Sequence, residues 1–448
     1  MSHLRYALKY VTDFRRPSNK RMLEIAKKLR KSQYWKREDI EKDQKLKLRN
    51  IVKHSYENVP YYHDVFKSLG LKPDNIQGSA DLRKLPLLTK DIIRNTLDEL
   101  TSSIQYEDSV NMRTGGSTGT PMKFIVNRSM QVHGQAANLR GFEWCGYEFG
   151  DKCAYLWGSS FDMSKTKSAR GKITNIFHNR LMLNAFDLSD EKMKIYATEI
   201  KKFKPKVLRG YASALHTFSN FVQNNNIQGI KPLAIVTTAE NLFDFQRRNI
   251  EETFNCKIFD AYGSRETSLI AHECEARDGY HISDENSIVE FLDKNNEPVA
   301  PGESGRIVIT DLHNMVMPWI RYEIGDMGTP TDEKCSCGRT LSMMKSIDGR
   351  VHDMFITPDG RRIPGEFFPH LFKDVDGITE YRLTQKSREK IVVEIVKSKK
   401  FKDADVQYLL KHMKEYLGEK VEFEFVYLDR IEWPESGKRR FTVSEVVE

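Results

Sequence analysis

Short apolar segments alternate with helical patterns from about residue 129 to residue 330, and this alternation limits the possible folds more than any other feature of the chain. Alternating strands and helices form an α/β sheet with parallel strand pairs, because each helix returns the chain to the same end of the sheet. Ligands then gather at the ends of these strands. The predicted helices include 213–224 and 244–254, and the predicted strands are 154–157, 207–210, 234–237 and 257–260.

A glycine-rich stretch precedes this region. Residues 113–124 read RTGGSTGTPMKF, and strand-like residues flank the glycines at 109–112 and 122–126. Glycine lets the backbone approach a ligand closely, and hydroxyl groups donate hydrogen bonds to phosphate oxygens. We therefore predict a hairpin whose loop holds a polyphosphate, with an ordinary surface hairpin as the alternative. It is not a Walker A loop, because Thr120 and Pro121 follow Gly119 in place of the lysine and hydroxyl residue of that motif.

The domain organisation follows from length and from a change of pattern. A chain of 448 residues exceeds what one hydrophobic core usually serves. The pattern becomes antiparallel from residue 287, and beyond residue 349 it predicts a separate β-β-α-β unit. We predict a large α/β domain at 1–349, with parallel or mixed sheets, an antiparallel part and a basic helical leading segment at 1–100, followed by a small mobile α+β lid domain at 350–448.

The positive charge is concentrated at the start of the chain. The first 54 residues hold 17 Lys or Arg against 6 Asp or Glu, whereas the whole chain has a net charge of +8. Apolar residues recur there at helical spacing, as at Met22, Ile25, Ala26 and Leu29. Such a basic amphipathic segment could contact an anionic membrane or a polysaccharide assembly, and a solvated helix face is the alternative. No nucleic-acid-binding motif accompanies the charge, so we expect no nucleic-acid partner.

The predicted location is the cytoplasm, with peripheral contact to the inner face of the membrane as an option through residues 1–54. No run approaches 18 apolar residues, and charges occupy the place where a secretory signal needs an apolar core. Six unevenly spaced cysteines favour reduced thiols over a disulfide scaffold.

Four residues suggest a metal site. Cys335 and Cys337 form a close thiolate pair, while Cys274 and His281 lie on either side of a predicted Asp278–Gly279 turn. Three thiolates and one imidazole suit a closed tetrahedral zinc site with a structural role. His272 is the competing fourth ligand, and the alternative is that the cysteines are ordinary core or loop residues.

Three more motifs follow the glycine-rich loop in order, namely AYGSRE at 261–266, RYEIGD at 321–326 and SGK at 436–438. Further matching stretches are NVPYY near residue 60, LPLLTK near residue 88, GYAS at 210–213, MPWIRYEIGD at 317–326 and CSCGRT at 335–340. In this order and spacing the chain resembles the adenylate-forming superfamily, and within it the phenylacetate-CoA ligases and the CapK-type proteins. The resemblance runs nearly end to end.

The resemblance implies a nucleotide site for ATP or AMP. Its tyrosine-glycine turn would lie against the adenine, the loop at 239–240 would line the other side, and Asp326 would accept both ribose hydroxyls. Arg350 would reach the ribose or the phosphates from the hinge. The implied cofactor-binding residues are Ser117, Thr118, Gly119, Thr120, Ala239, Glu240, Asp260, Ala261, Tyr262, Gly263, Ser264, Asp326 and Arg350.

Two catalytic residues are implied in the same way. Glu266 would help to hold Mg²⁺, and Lys438 would bridge the substrate carboxylate and the α-phosphate from the lid. A cation there offsets the negative charge that builds up as carboxylate oxygen attacks phosphorus. The chain departs from the family pattern at the hinge, where His352 replaces the first aspartate of Gly-Arg-x-Asp-Asp. That change leaves the hinge position and the second half-reaction open.

The implied function is an ATP-dependent ligase of the phenylacetate-CoA ligase type. A carboxylic acid would become an acyl-adenylate, and the acyl group would then pass to a thiol such as that of coenzyme A. One alternative is a CapK-type ligase of surface polysaccharide biosynthesis, which joins a sugar acid or amino acid to an amine. Another is a non-catalytic relative that binds a nucleotide or a polysaccharide.

The acid itself cannot be read from the sequence. The aromatic candidates for its pocket are as consistent with core packing as with an aromatic acid; they are Trp144, Tyr147, Trp157, Phe161 and Tyr211. The predicted acid pocket consists of residues 157–160, including Trp157 and Ser160, together with Tyr211 and Ser213.

Overall fold

A computed structural model describes residues 17–114, 122–157, 174–176, 178–185, 188–350, 354–360, 362–364, 367–372, 375, 377–432 and 441–446. The helices in these ranges are α1 Pro17–Ser32, α2 Arg37–Asn58, α3 Pro60–Ser68, α4 Lys90–Asn95, α5 Arg128–Trp144, α6 Asp190–Phe203, α7 Ala212–Asn224, α8 Asp244–Phe254, α9 Phe367–Phe372 and α10 Asp403–Leu417, with 3₁₀ turns at Pro73–Asn75 and Ser79–Lys84.

The strands of the first two sheets are β1 Val110–Arg113, β2 Lys123–Val126, β3 Cys153–Trp157, β4 Arg180–Asn184, β5 Val207–Tyr211, β6 Ala234–Thr238, β7 Lys257–Ser264, β8 Ser268–Glu273, β9 Tyr280–Ile282, β10 Ser287–Leu292, β11 Gly305–Asp311, β12 Tyr322–Thr331 and β13 Met343–Arg350. The remaining strands are β14 Met354–Ile356, β15 Arg362–Pro364, β16 Ile378–Ser387, β17 Lys390–Lys397, β18 Glu422–Leu428 and β19 Thr442–Ser444.

An eleven-stranded mixed sheet dominates the fold, in the order β10-β11-β12-β13-β9-β8-β7-β6-β5-β3-β4. The strands β4, β3, β5, β6 and β7 pair in parallel, and the pairs from β7 to β10 are antiparallel. The predicted α/β fold class, with parallel pairs and an antiparallel part, is confirmed.

The parallel strands have the composition that burial on both faces requires. All five residues of β6 are buried, and its sequence, AIVTT, is rich in β-branched side chains. Helix α7 packs Leu215, Phe218 and Val222 into the same apolar cluster as Leu208 and Ile235 of the sheet. Helices pack on the sheet in this way because a strand buried on both faces needs apolar cover.

The prediction for the strand at 257–260 was too short, because β7 continues to Ser264. Antiparallel pairing with β8, from Ala261 opposite His272 to Ser264 opposite Ser268, extends its hydrogen-bond ladder. The strand at Arg180–Asn184 was missed, although it pairs in parallel with β3. It is only five residues long, and apolar runs of that length do not distinguish a strand from other structure.

A four-stranded sheet, β18-β17-β16-β19, and helix α10 form the C-terminal part. Its apolar cluster includes Phe355, Leu383, Ile391 and Leu409 and draws on residues beyond 354. Strand β13 pairs with β12 as far as Arg350, which lies opposite Asp326. The predicted boundary after residue 349 therefore falls at the last residue of the large sheet, and the division into two domains stays a prediction.

The apolar face of the first described helix is buried inside the protein. Met22, Ala26 and Leu29 of α1 share an apolar cluster with Val132 and Ala136 of α5. This face is therefore occupied by the protein's own core, and only the basic face of α1 is left for contact with an anionic surface. Within the described ranges, no helix has the length and apolar character needed to cross a membrane.

Two early motifs support the strand that carries Asp326. The Tyr62 hydroxyl donates to the carbonyl oxygen of Pro318 at 2.9 Å and accepts from the backbone N–H of Ile320 at 3.1 Å. The backbone N–H of Leu88 donates to the Arg321 carbonyl at 2.9 Å, and the N–H of Glu323 donates to the Leu88 carbonyl at 3.0 Å. The NVPYY and LPLLTK stretches thus hold the chain entering β12 in place.

We predict that Tyr62→Phe lowers the free energy of unfolding by about 1–3 kcal/mol, because the backbone groups of Pro318 and Ile320 lose a buried partner. Urea titration followed by circular dichroism measures this change. The matched control is Tyr61→Phe, since the Tyr61 hydroxyl bonds to no described residue, and its expected effect is under about 0.5 kcal/mol. Equal effects of the two substitutions would contradict the proposed support.

Candidate nucleotide and acid site

The ends of five parallel strands form one row at the edge of the large sheet. Trp157 lies opposite Asn184, Tyr211 opposite Thr238, and Thr238 opposite Ala261. The rings of Trp157 and Tyr211 also meet, with centroids 4.8 Å apart. The residues predicted for the acid pocket and those predicted for the nucleotide therefore leave the sheet side by side.

A strained turn follows β6 at this edge. Ala239 has a φ of 70°, an uncommon value for a residue other than glycine. The next residue, Glu240, accepts the backbone N–H of Ser213 with its Oε2 at 2.9 Å. Two predicted site residues from neighbouring connections, Glu240 and Ser213, are thus joined directly.

The AYGSRE segment is held in shape by its glycine and serine. A Cβ on Gly263 would lie 2.4 Å from the Ser268 carbonyl oxygen, so only glycine fits against β8 there. Ser264 Oγ accepts the backbone N–H groups of Glu266 and Thr267, each at 3.1 Å. Four of the predicted residues, Ala261 to Ser264, lie within β7, and the turn begins only after Ser264.

Residues from both halves of the sheet meet in this segment. The Tyr262 hydroxyl donates to Asp326 Oδ2 at 2.8 Å. The buried Glu266 accepts the Tyr322 hydroxyl with its Oε1 at 3.1 Å. The backbone of Arg350 lies opposite Asp326 in the sheet register. Two of the sequence motifs, AYGSRE and RYEIGD, are therefore joined directly by hydrogen bonds, and the hinge arginine lies beside them in the sheet.

Asp260, one of the predicted nucleotide-binding residues, is buried in the protein. Its two carboxylate oxygens accept hydroxyl groups from Thr237 at 2.6 Å and from Tyr280 at 2.9 Å, and its side chain is buried. Burial raises the pKa of this carboxyl. These contacts favour a role in fixing the strand ends over the predicted contact with the nucleotide.

The mouth of the glycine-rich loop lies beside the AYGSRE segment. The predicted hairpin is present as β1 and β2, which pair from Val110 opposite Val126 to Arg113 opposite Lys123. The N–H of Thr114 donates to the Met122 carbonyl, and the N–H of Met122 donates to Thr114 Oγ1, both at 2.9 Å. Arg265 reaches across, with its Nη1 3.3 Å from the Arg113 carbonyl oxygen.

Several predicted site residues lie outside the described ranges. These residues are Ser117, Thr118, Gly119, Thr120, Ser160, Phe161, His352 and Lys438. The side chain of Arg350 is likewise not described. Their roles stay predictions.

The four predicted metal ligands come together. The ligand atoms of Cys274, His281, Cys335 and Cys337 all lie within 4.8 Å of one another. Cys274 Sγ is 3.5 Å from Cys335 Sγ, and Cys337 Sγ is 3.2 Å from His281 Nε2. In a tetrahedral site with Zn–S bonds of about 2.3 Å, sulfur atoms lie about 3.8 Å apart, so the donor set fits zinc.

His281, and not His272, joins the three cysteines in this group. His272 is buried, and its Nδ1 lies 2.6 Å from the carbonyl oxygen of Glu273. Burial lowers the pKa of His281 to about 4, so its ring is neutral at pH 7, which is the form that binds metals. The Arg339 N–H donates to Cys337 Sγ at 3.4 Å, a contact that favours the thiolate.

One aromatic candidate for the acid pocket belongs to this cluster. The ring of Trp144 meets the ring of His281 edge to face at 5.4 Å, and the Arg339 guanidinium lies over it at 4.8 Å. Its Nε1–H donates to Gln33 Oε1 at 2.9 Å. Trp144 therefore packs against the four predicted ligands, which favours core packing over the acid pocket for this residue.

Comparison with known proteins places these observations in a family context. Residues 355–445 match the family described as the CapK C-terminal domain. Protein CapK of Staphylococcus aureus is 26% identical over 416 residues, which cover 91% of this chain and 90% of that protein. A phenylacetate-coenzyme A ligase of Thermus thermophilus is 26% identical over 343 residues, which cover 71% of this chain and 72% of the ligase.

Solved structures share the fold. A 2-hydroxyisobutyryl-CoA ligase in the postadenylation state superposes with a TM-score of 0.74 at 18% identity, over 92% of this chain and 91% of the ligase. The amide bond synthetase McbA of Marinactinospora thermotolerans gives a TM-score of 0.54 at 12% identity, over 75% of this chain and 68% of the synthetase. The resemblance predicted from the sequence is confirmed: the chain is a relative of CapK and of the phenylacetate-CoA ligases, and its fold is that of the adenylate-forming ligases.

Proposed function

We propose that this chain activates a carboxylic acid with ATP and transfers the acyl group to a thiol of the coenzyme A type. The observation that carries the proposal is the convergence of Tyr262, Asp326 and Glu266 beside the mouth of the glycine-rich loop. The enzyme class, an adenylate-forming ligase, agrees with the phenylacetate-CoA ligases among its relatives and is confirmed.

The nucleotide would lie across the row of strand ends. Tyr262 and Gly263 provide a flat surface for the adenine, and Ala239 with Glu240 closes the other side. Asp326 accepts the ribose hydroxyls, and its bond from Tyr262 fixes the carboxylate next to the adenine surface. The backbone of Arg350 lies opposite Asp326 in register, and its side chain would contact the same part of the nucleotide.

The phosphates would lie between the glycine-rich loop and the AYGSRE turn. Ser117, Thr118, Gly119 and Thr120 provide hydroxyl and backbone donors for them. Glu266 is the carboxylate for Mg²⁺, which neutralises phosphate charge when bound. The Tyr322 hydroxyl orients this carboxylate, since it donates to Oε1 at 3.1 Å.

The acid would enter beside the same strand ends. Trp157 and Tyr211 form an aromatic wall, and Ser213 follows at the start of α7. A carboxylate held there attacks the α-phosphorus of ATP, and pyrophosphate leaves, so no enzyme nucleophile is needed. During this attack, Lys438 supplies the positive charge that stabilises the transition state.

The acceptor decides between the main proposal and its alternative. The alternative is a CapK-type ligase that forms an amide in surface polysaccharide biosynthesis, and the likeness to protein CapK along 91% of the chain is the reason to retain it. Release of AMP that depends on the acid and on an amine, and does not change when coenzyme A is added, would favour the amide-forming ligase. Tight ATP binding without turnover under any acceptor would favour the non-catalytic relative.

We predict that purified protein catalyses carboxylate-dependent exchange of pyrophosphate into ATP, and that Lys438→Ala lowers the rate about 100-fold or more while ATP still binds. Radiolabelled pyrophosphate measures the exchange, and calorimetry measures the binding. Lys420→Ala, which removes an exposed lysine elsewhere in the C-terminal part, is the charge-matched control and should keep the wild-type rate. If the protein neither exchanges pyrophosphate nor binds ATP with any acid of a broad panel, the proposed function is contradicted.

We also propose that Cys274, His281, Cys335 and Cys337 bind a structural zinc ion. Four protein ligands leave no open position for substrate, so the ion would brace the turn at 278–279 against the segment at 335–339. The Asp278 carboxylate already links these two segments, because it accepts the N–H and the hydroxyl of Ser336 at 2.8 and 2.6 Å.

We predict about one zinc ion per chain after gel filtration, measured by plasma mass spectrometry. Cys337→Ser should lose the zinc and lower the melting temperature, because a ligand is removed from a closed site. Cys256→Ser, outside the cluster, should retain it. Wild-type protein with less than about 0.1 zinc per chain, produced in zinc-supplemented medium, would sink the proposal.

A further inference from the structure

Arg209 is a partly buried cation whose charge no described carboxylate balances. It lies in β5, two residues before Tyr211, with an intermediate overall exposure. Its Nε is buried and has no hydrogen-bond partner among the described residues. Its Cζ lies 5.2 Å from the ring centre of Phe142 and 5.6 Å from that of Trp157. Two aromatic rings therefore flank its guanidinium.

Other arginines that are largely buried in the described ranges do pair with carboxylates. Arg140 pairs with Glu285 at 2.7 Å, Arg247 with Glu273 at 2.7 Å, and Arg321 with Glu290 at 3.1 Å. Such pairing is expected, because a buried charge is costly unless an opposite charge meets it. Arg209 is the exception to this pattern within the described residues.

Among the described residues, the titratable groups that act most on Arg209 carry no negative charge at neutral pH. Those that act on it most are Tyr155 on the neighbouring strand β3, the thiols of Cys153 and Cys145, and a second cation, Arg180. Burial raises the pKa of the Cys153 thiol to about 12, which keeps it protonated. Burial also lowers the pKa of Arg209 itself, the sign of a cation that lacks a partner.

The position of Arg209 places this charge below the proposed acid pocket. Arg209 precedes Tyr211 by two residues on β5. Two strand residues span roughly 7 Å, which separates Arg209 from the row of strand ends where the carboxylate would be activated. The Trp157 ring connects the strand ends with Arg209, because it contacts the Tyr211 ring and also lies under the Arg209 guanidinium.

We propose that Arg209 binds a second carboxylate on the acid, so that the substrate class is dicarboxylic acids. The distal carboxylate completes the missing ion pair, while the other carboxylate reaches the nucleotide at the strand ends. This inference rests on the proposed function, since it concerns the acid that the same site activates. Arg209 acts on specificity and takes no part in the attack on phosphorus.

The test compares acids of matched length in pyrophosphate exchange. Succinate, glutarate and adipate are each paired with the monocarboxylate of the same chain length, and kcat/KM is measured for both. The wild-type protein should favour the best dicarboxylate over its partner by about tenfold or more, because a charge-assisted contact is lost in the monocarboxylate. Equal or better use of the monocarboxylates would overturn the inference.

Variants locate the preference at one side chain. Arg209→Met should remove most of the preference by raising KM for the dicarboxylates, with the KM for ATP unchanged, and Arg209→Lys should retain part of it. Arg180→Met is the matched control, because Arg180 is an exposed arginine over the neighbouring Tyr155 ring and should leave the preference intact. A dicarboxylate preference that survives in Arg209→Met would contradict the assignment.

Two further outcomes are informative. If Arg209→Met does not fold, the wild-type comparison of matched acids decides the question alone. If no acid of either kind supports exchange, the proposed function fails, whereas exchange that is indifferent to the second carboxylate defeats the Arg209 inference only.

Discussion

The hydrogen bond between Tyr262 and Asp326 joins two parts of one sheet that would be far apart if the sheet were flat. Tyr262 lies in β7 and Asp326 in β12, and the strands β8, β9 and β13 lie between them in the sheet order. Four steps of about 4.8 Å would separate the two strands by roughly 19 Å, more than these side chains can span. The antiparallel half must therefore curl back towards the end of the parallel half.

This curvature creates the site. It brings RYEIGD against AYGSRE, and it buries a common apolar core that contains Ile282, Ile307, Trp319 and Tyr322. The early motifs act on the same region, because Arg321 is held in a left-handed conformation, with a φ of 53°, by the Leu85 carbonyl and Glu290. The edge that carries the proposed site thus depends on segments more than 200 residues apart, as the 236-residue separation between Leu85 and Arg321 illustrates.

Much of the fold could be read from the sequence where local pattern and tertiary structure agree. The β6 prediction differs from the observed strand by one residue, and the helix at 244–254 matches α8 in full, because buried strands and amphipathic helices carry their own periodicity. The convergence of Cys274, His281, Cys335 and Cys337 could also be predicted, since thiols and imidazoles have few other reasons to converge.

The missed features depend on contacts between distant segments. The sequence left Trp144 open between the acid pocket and core packing, and its contact with His281 favours core packing. The hydroxyl partners of Asp260, Thr237 and Tyr280, could not be read from the sequence either. The sequence did not single out Arg209. Its Nε lacks a hydrogen-bond partner among the described residues, and this is visible only when the neighbouring side chains are known. Spacing along the chain identified the motifs, but the partners of each side chain required three-dimensional structure.

The central claim is that bound ATP is attacked at its α-phosphorus by a carboxylate. The measurement that tests it most directly is the identity of the nucleotide product, determined by chromatography after incubation with ATP, Mg²⁺, an acid and coenzyme A. The account predicts AMP and pyrophosphate in equal amounts, formed only when the acid is present. ADP and inorganic phosphate as the acid-dependent products would contradict it.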